Sequence, residues 1–214
     1  MNPEKYAVNY ANKFLSPSLK HPFGTDFVGR DMFYRCVKGL SNSIVIGILA
    51  SIVSSIVALI FGIAAAVFGK WVDKVVNWGV DLCMGLPHLV LLMLISFMLG
   101  KGVKGVTIAV ALTHWPSLTR IVRSEVMQIR SSQYVQAAYK MGISKWKVAV
   151  THIVPHVLPS YLIGLVLLFP HAIMHEASIT FLGFGLPAEM PAIGVILSEA
   201  MKHLATGKWW LALF

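Results

Sequence analysis

The sequence predicts an all-α, polytopic membrane protein, and three observations carry that expectation. Residues 40–69, LSNSIVIGILASIVSSIVALIFGIAAAVFG, contain no charged side chain, and about 20 apolar residues suffice to cross the hydrocarbon core of a bilayer. A second long apolar segment occupies residues 153–185. Of the 214 residues 57% are hydrophobic and only 13% charged, with a mean hydropathy of +0.72, whereas soluble chains carry about a quarter charged residues. This balance excludes a disordered chain, a disulfide scaffold and an ordinary cytosolic enzyme.

Taken in order, the elements start with a polar N-terminal stretch, 1–20, that lacks the apolar core of a signal peptide. The first span covers about 40–69, where Gly47, Ser51, Ser54, Ser55 and Gly62 are small residues suited to close helix packing. The second, about 75–100, is interrupted by Asp81 and by Pro87-His88, and the third, about 103–122, holds His114-Trp115-Pro116. A polar stretch leads to the fourth span, about 156–183. Residues 186–208 read as a loop with a small helix, and Trp209-Trp210 open a further helix as an aromatic belt would. A span cannot cross a membrane in the six residues that remain from Trp209, so the chain reads as cut short. No internal repeat or linker is visible.

Eighteen Lys and Arg against nine Asp and Glu give a net charge of +9. The basic residues border apolar segments, where they meet lipid headgroups or a cytoplasmic partner, and no aromatic-plus-basic stripe for base stacking accompanies them, which sets nucleic acid aside. Eight basic residues lie in the 70–74 turn and the 120–147 stretch and ten in the other polar segments, so charge alone does not orient the chain. Cys36 and Cys83 form no CxxC and do not indicate a redox compartment.

The stretch 130–159, RSSQYVQAAYKMGISKWKVAVTHIVPHVLP, reads as a helix with small Ala137 and Ala138, a break at Gly142, a short helix capped by Ser144, and entry into the next span at Pro155 and Pro159. On its own it is a basic amphipathic loop between two membrane helices. Its spacing says more. Gln136-Ala137-Ala138, three residues, Gly142, twelve residues and Pro155 resemble the EAA motif of ABC-importer permeases, with Gln136 in place of the Glu, His152 in place of the Ile and Val154 in place of the Leu. His21-Pro22-Phe23-Gly24-Thr25-Asp26 with Gly29-Arg30-Asp31 is similar to an HPLGTDxxGRD signature, and Glu176 to Gly185 is similar to an EAxxxFLGxG segment. His114-Trp115-Pro116 to Arg120 and Arg123 lie where such proteins run into the cytoplasmic loop. The chain therefore resembles the C-type permease subunit of the dipeptide/oligopeptide/nickel branch, and looks most like the nickel permease.

That resemblance implies a type I (MetI-like) permease bundle, incomplete at both ends, in the plasma or inner membrane of a prokaryote. It implies an extracytoplasmic segment over 1–39, a transmembrane permease domain over 40–214 and a cytoplasmic coupling loop over about 123–155. Gln136, Ala137, Ala138, Gly142 and Pro155 are the residues it assigns to ATPase coupling, with the two alanines letting the helix seat deeply in an ATPase groove. The implied partners are a second homologous permease, two cytoplasmic ATPase subunits and an extracytoplasmic solute-binding protein. Gly69-Lys70, Gly100-Lys101 and Gly207-Lys208 are never followed by Ser or Thr, so no Walker A motif is present and ATP with its magnesium belongs on the partner ATPases. The chain itself is expected to bind no cofactor and to be no enzyme.

Polar groups within spans are functional candidates. His171 and His175 lie i, i+4 on one helical face with Glu176 beside them, and Asp81 and His88 lie in the second span. HxxxH on a helix is an acceptable two-ligand metal arrangement, and imidazole suits nickel. In the resembling proteins two histidines four apart before the EAxxxFLGxG segment mark the nickel type, so nickel or a nickel complex is the expected cargo, with dipeptide or oligopeptide import as the alternative. The competing structural reading has these histidines packing against the partner permease. An intramembrane metalloprotease would need a third ligand and a general base, neither of which is apparent, and a secondary transporter would show inverted-repeat halves.

Overall fold

The computed structural model describes residues 8–213, which contain nine α-helices and no strand beyond one isolated bridge between Thr25 and Asp31. The first helix, α1 (Met32–Val67), starts where the Asp31 carboxylate accepts from the backbone N–H groups of Phe33 at 3.0 Å and Tyr34 at 3.4 Å, the usual role of Asp at a helix N-cap. Its buried stripe is built of small residues, among them Gly47, Ala50, Ser54, Ala58 and Gly62, whereas Ile48, Ile52, Val53 and Ile60 on other sides are exposed. In lipid, association comes from close packing rather than from expelling water, and small residues permit it.

The next segment departs from the expected single span over 75–100. Two helices, α2 (Lys70–Met84) and α3 (His88–Met98), meet at a 93° bend. Pro87 has no N–H to continue the ladder and pushes the residue before it away from helical geometry, so the chain turns there and presents His88 at the first position of α3.

The helix α4 (Gly102–Arg130) runs well past the expected end at 122. Leu118, Val122 and Val126, spaced by four, are all buried, and the polar residues between them serve the bundle. Arg123 donates from Nη2 to Asp73 Oδ2 at 2.7 Å, Arg120 from Nη2 to Asp81 Oδ1 at 2.7 Å, and Arg130 from Nη1 to the Ala66 carbonyl at 2.6 Å. The last contact satisfies a carbonyl at the C-terminal end of α1, where cations are favoured.

Two short helices follow, α5 (Gln133–Lys140) and α6 (Lys145–Val148). A π-helical turn, Ala149–Ile153, then feeds into α7 (Val154–Phe181). The chain closes with α8 (Ile193–Leu204) and α9 (Trp210–Leu213). By length and composition, α1 and the stretch Lys145–Phe181 can cross a membrane, and the bent α2–α3 pair makes a third span if counted as one. Helix α4 is long enough to span, but His114, Trp115, Pro116 and Arg120 dilute its apolar character. It packs between α1, α3 and α7, which bury Val106, Val110, His114 and Leu118 and leave Ile108, Leu112 and Ile121 exposed.

At the opposite end from the α5–α6 hairpin, residues 9–31 fold around one buried carboxylate. Asp26 accepts from the N–H groups of Val28 and Arg30 at 2.9 Å each, from Arg30 Nε at 2.7 Å and from Arg35 Nη1 at 3.1 Å. Arg35, itself buried in α1, also donates to Glu199 of α8. This network ties the N-terminal segment, α1 and α8 together. Removing one partner of a buried charge set costs about 3 kcal/mol or more. Asp26→Ala is therefore expected to lower the unfolding temperature of the detergent-solubilised protein measurably, and an unshifted transition would contradict the role given to this carboxylate.

Candidate functional site

A cavity of about 470 Å³ opens in the bundle between the α2–α3 elbow, α4 and α7. Cys83, Met84 and His88 line it from the elbow, His114, Ser117 and Ile121 from α4, and Gly164, Leu167, His171 and His175 from α7. Three of these imidazoles converge. Ring centroids are 4.9 Å apart for His88 and His114, 4.5 Å for His88 and His175, and 5.0 Å for His114 and His175. One ring nitrogen from each lies within 4.8 Å of those of the other two.

The structure thus rearranges the polar residues singled out in the sequence. His88, His171 and His175 share the cavity, but only His88 and His175 belong to the converging set, and the third member is His114. The His171 ring Nδ1 donates to the Leu167 carbonyl of its own helix at 2.9 Å. Asp81 does not line the cavity; on the outer face of α2 it pairs with Arg120 of α4, both largely exposed. Glu176 also lies away from it. Fully buried, its Oε1 accepts from Thr180 Oγ1 at 2.9 Å, and Thr180 Oγ1 accepts in turn from the Leu186 N–H at 3.2 Å. The EASITFLGFG segment therefore closes the end of α7: the Phe184 N–H reaches the Ile179 carbonyl and the Gly183 N–H the Thr180 carbonyl, the paired bonds of a Schellman motif.

The coupling candidates occupy the other end. Helix α5 also terminates in a Schellman motif, with the Gly142 N–H on the Tyr139 carbonyl at 3.0 Å and the Ile143 N–H on the Ala138 carbonyl at 3.2 Å. Gly142 has φ +78° and open space around it. The requirement for glycine there is conformational and not steric. Ser144 caps α6 by accepting from the Lys147 N–H at 3.3 Å, Gln136 Nε2 donates to the Arg130 carbonyl at 2.8 Å, and Pro155 sits in the first turn of α7. The two alanines divide: Ala137 faces outward, but Ala138 is turned into the protein's own core with Val135, Val148 and Ile153. Of the two, only Ala137 is presented on the surface. Around it Tyr134, Met141 and Trp146 are exposed apolar side chains, with Lys140, Lys145 and Lys147 also exposed nearby.

A family model described as "Binding-protein-dependent transport system inner membrane component" matches residues 58–214. The chain belongs to that family. Its relatives include the dipeptide transport system permease protein DppC of Bacillus subtilis (30% identical over 94% of this chain), the oligopeptide transport system permease protein OppC of the same organism (33% over 95%) and the DppC of Alkalihalophilus pseudofirmus (32% over 94%). This family member spans 62%, 67% and 66% of the length of those three relatives, respectively. Among solved structures, an inward-facing MetNI methionine ABC transporter matches 85% of this chain and 93% of the compared chain with a TM-score of 0.65 at 14% identity. That likeness establishes the fold alone, the MetI-like helical bundle expected from the motifs.

Gly142→Ala places a Cβ at a left-handed position, which costs an L-residue about 1–2 kcal/mol. The α5–α6 hairpin should then open more readily, read as faster amide exchange at residues 139–143 with the exchange of α1 unchanged. Equal exchange in both proteins would show that the turn does not depend on glycine.

Proposed function

We propose that this chain forms half of the translocation pathway of an ATP-binding-cassette importer and that its cargo is a dipeptide or oligopeptide. The observation that carries the cargo is the likeness, along nearly the whole of this chain, to permeases named for dipeptide and oligopeptide transport. Nickel or a nickel complex is the other cargo the sequence suggests, and it rests on the histidines of the cavity.

The mechanism follows from how the two ends are joined. Two cytoplasmic ATPase subunits, holding ATP and magnesium, receive the outward face of α5 with Ala137, Tyr134 and Met141. Because Ala138, Val148 and Ile153 share one buried cluster with Val122 and Val126 of α4, a displacement of the hairpin moves α4 with it instead of being absorbed in a soft loop. Interfaces of packed helices are bistable, so closure of the ATPases drives a rigid-body switch between inward- and outward-facing arrangements. A second homologous permease completes the pathway across the cavity. An extracytoplasmic solute-binding protein docks near residues 9–31 and α8, which the Asp26–Arg35–Glu199 network holds as one surface.

The test is ATP hydrolysis by the full-length permease reconstituted with its partner subunits and binding protein. Short peptides are expected to raise the rate several-fold, and nickel salts or chelates alone are expected not to. Stimulation by nickel species only would overturn the peptide reading and leave the permease role standing.

A further inference from the structure

We propose that His88, His114 and His175 form a three-imidazole site that binds a divalent d-block cation, bare or as a chelate, in the translocation pathway. The proposal rests on the reading of this cavity as the pathway. Three facts carry it. The rings form a near-equilateral triangle, with centroids 4.5–5.0 Å apart, and each comes from a different helix, so that no local spacing forces them together.

His114 is prepared as a ligand. It is only 6% exposed, and its Nδ1–H donates to the Val110 carbonyl at 2.8 Å. That bond fixes the tautomer and leaves the Nε2 lone pair free, the arrangement in which a carbonyl orients a metal-bound imidazole. Nε2 of His114 and Nε2 of His88 are buried without a hydrogen-bond partner. Buried polar atoms are seldom left so, because each costs free energy, and edge-to-face packing of the rings does not satisfy them. An ion between them does.

The chemistry selects the ion. Imidazole nitrogen suits nickel, copper, zinc and cobalt, whereas magnesium and calcium take oxygen. Metal–nitrogen bonds of about 2.0–2.1 Å place the three nitrogens about 3.4 Å apart in a tetrahedral site, so the present spread of up to 4.8 Å closes by small rotations of the half-buried His88 and His175. Three ligands leave coordination positions open toward the cavity, as in sites that exchange a bound group. An oxygen or amine donor of a chelating peptide can occupy those positions, which makes a metal–peptide complex compatible with the peptide permease reading.

The experiment titrates Co(II) into the full-length permease, assembled with its partner subunits in lipid nanodiscs and purified without a histidine tag. One Co(II) per copy with the ligand-field bands of a low-coordinate site is expected, and X-ray absorption should count three imidazoles. His114→Gln should weaken binding at least ~100-fold, since even the loss of an orienting group costs 10–100-fold, whereas His203→Gln on α8 should leave binding unchanged. Co-purification with the ATPase subunits checks that each variant assembles. Absence of Co(II) binding, fewer than three imidazoles in the wild type, or equal binding by His114→Gln would overturn the site. So would binding of a peptide ammonium in excess chelator that His114→Gln abolishes, because the imidazoles would then be acceptors for the amine. A titration of Co(II) complexed by a dipeptide beside the aqueous ion distinguishes chelate from bare cation. Peptide-stimulated ATP hydrolysis in chelator, without Co(II) binding, removes the metal site alone; Co(II) binding without any peptide stimulation removes the peptide cargo alone.

Discussion

Three helices of this protein are held together at three glycines, and the rest of the structure follows from that contact. A Cβ at Gly62 of α1 would lie 2.6 Å from Val122 Cγ1 of α4, one at Gly47 of α1 would lie 2.6 Å from Ile173 Cγ1 of α7, and one at Gly164 of α7 would overlap the Leu118 side chain of α4. Each pair in the triangle is thus closed where one partner has no side chain. With no hydrophobic drive between helices in lipid, this approach supplies dispersion contact and admits polar links such as Ser55 Oγ to Tyr161 Oη at 3.0 Å. Because α4 and α7 meet this closely, His114 and His175 come within ring contact, and the bend at Pro87 swings His88 onto the same layer.

The same contact explains how motion can travel. The α5–α6 hairpin contributes Val135, Ala138 and Val148 to the cluster that contains Ala58 and Val67 of α1 and Val122 and Val126 of α4. At the other end Asp26, Arg35 and Glu199 form a charged clasp across three segments. Packed cores do not deform continuously, which is what the proposed rigid-body switch asks of the triangle between these ends. The Schellman turns at Gly142 and Gly183 end α5 and α7 sharply.

Much of this was legible in the sequence. The charge-free run announced α1, Gly142 and Ser144 announced the hairpin and its cap, and the ordered motifs announced a permease bundle. What failed was tertiary. The polar residues from Arg120 to Arg130 resembled a loop, yet α4 continues through them because its arginines reach Asp73, Asp81 and the Ala66 carbonyl. Glu176 beside two histidines was a pathway candidate, yet it bonds Thr180 on the next turn and closes the helix end. Ala137 and Ala138 looked equivalent, but adjacent residues on a helix point about 100° apart, so one faces out when the other is buried.

The histidines show what spacing along one helix leaves out. An i, i+4 pair places two imidazoles on the same face but one turn apart along the axis, about 6 Å. Such a pair can share one ligand, but the imidazoles that converge in this bundle come one from each of three helices. His171 is displaced from the layer of His175 by that turn, and its Nδ1–H is already committed to Leu167. The rings that converge on His175 come from other helices, from His88 after a proline elbow and from His114 before an internal proline. Neither residue carries a sequence signal beyond being a histidine in an apolar segment, and that property was itself the usable clue: each of the three is costly to hold in the bundle unless its nitrogens are engaged, and costly polar residues on different helices at one depth satisfy one another or share a ligand.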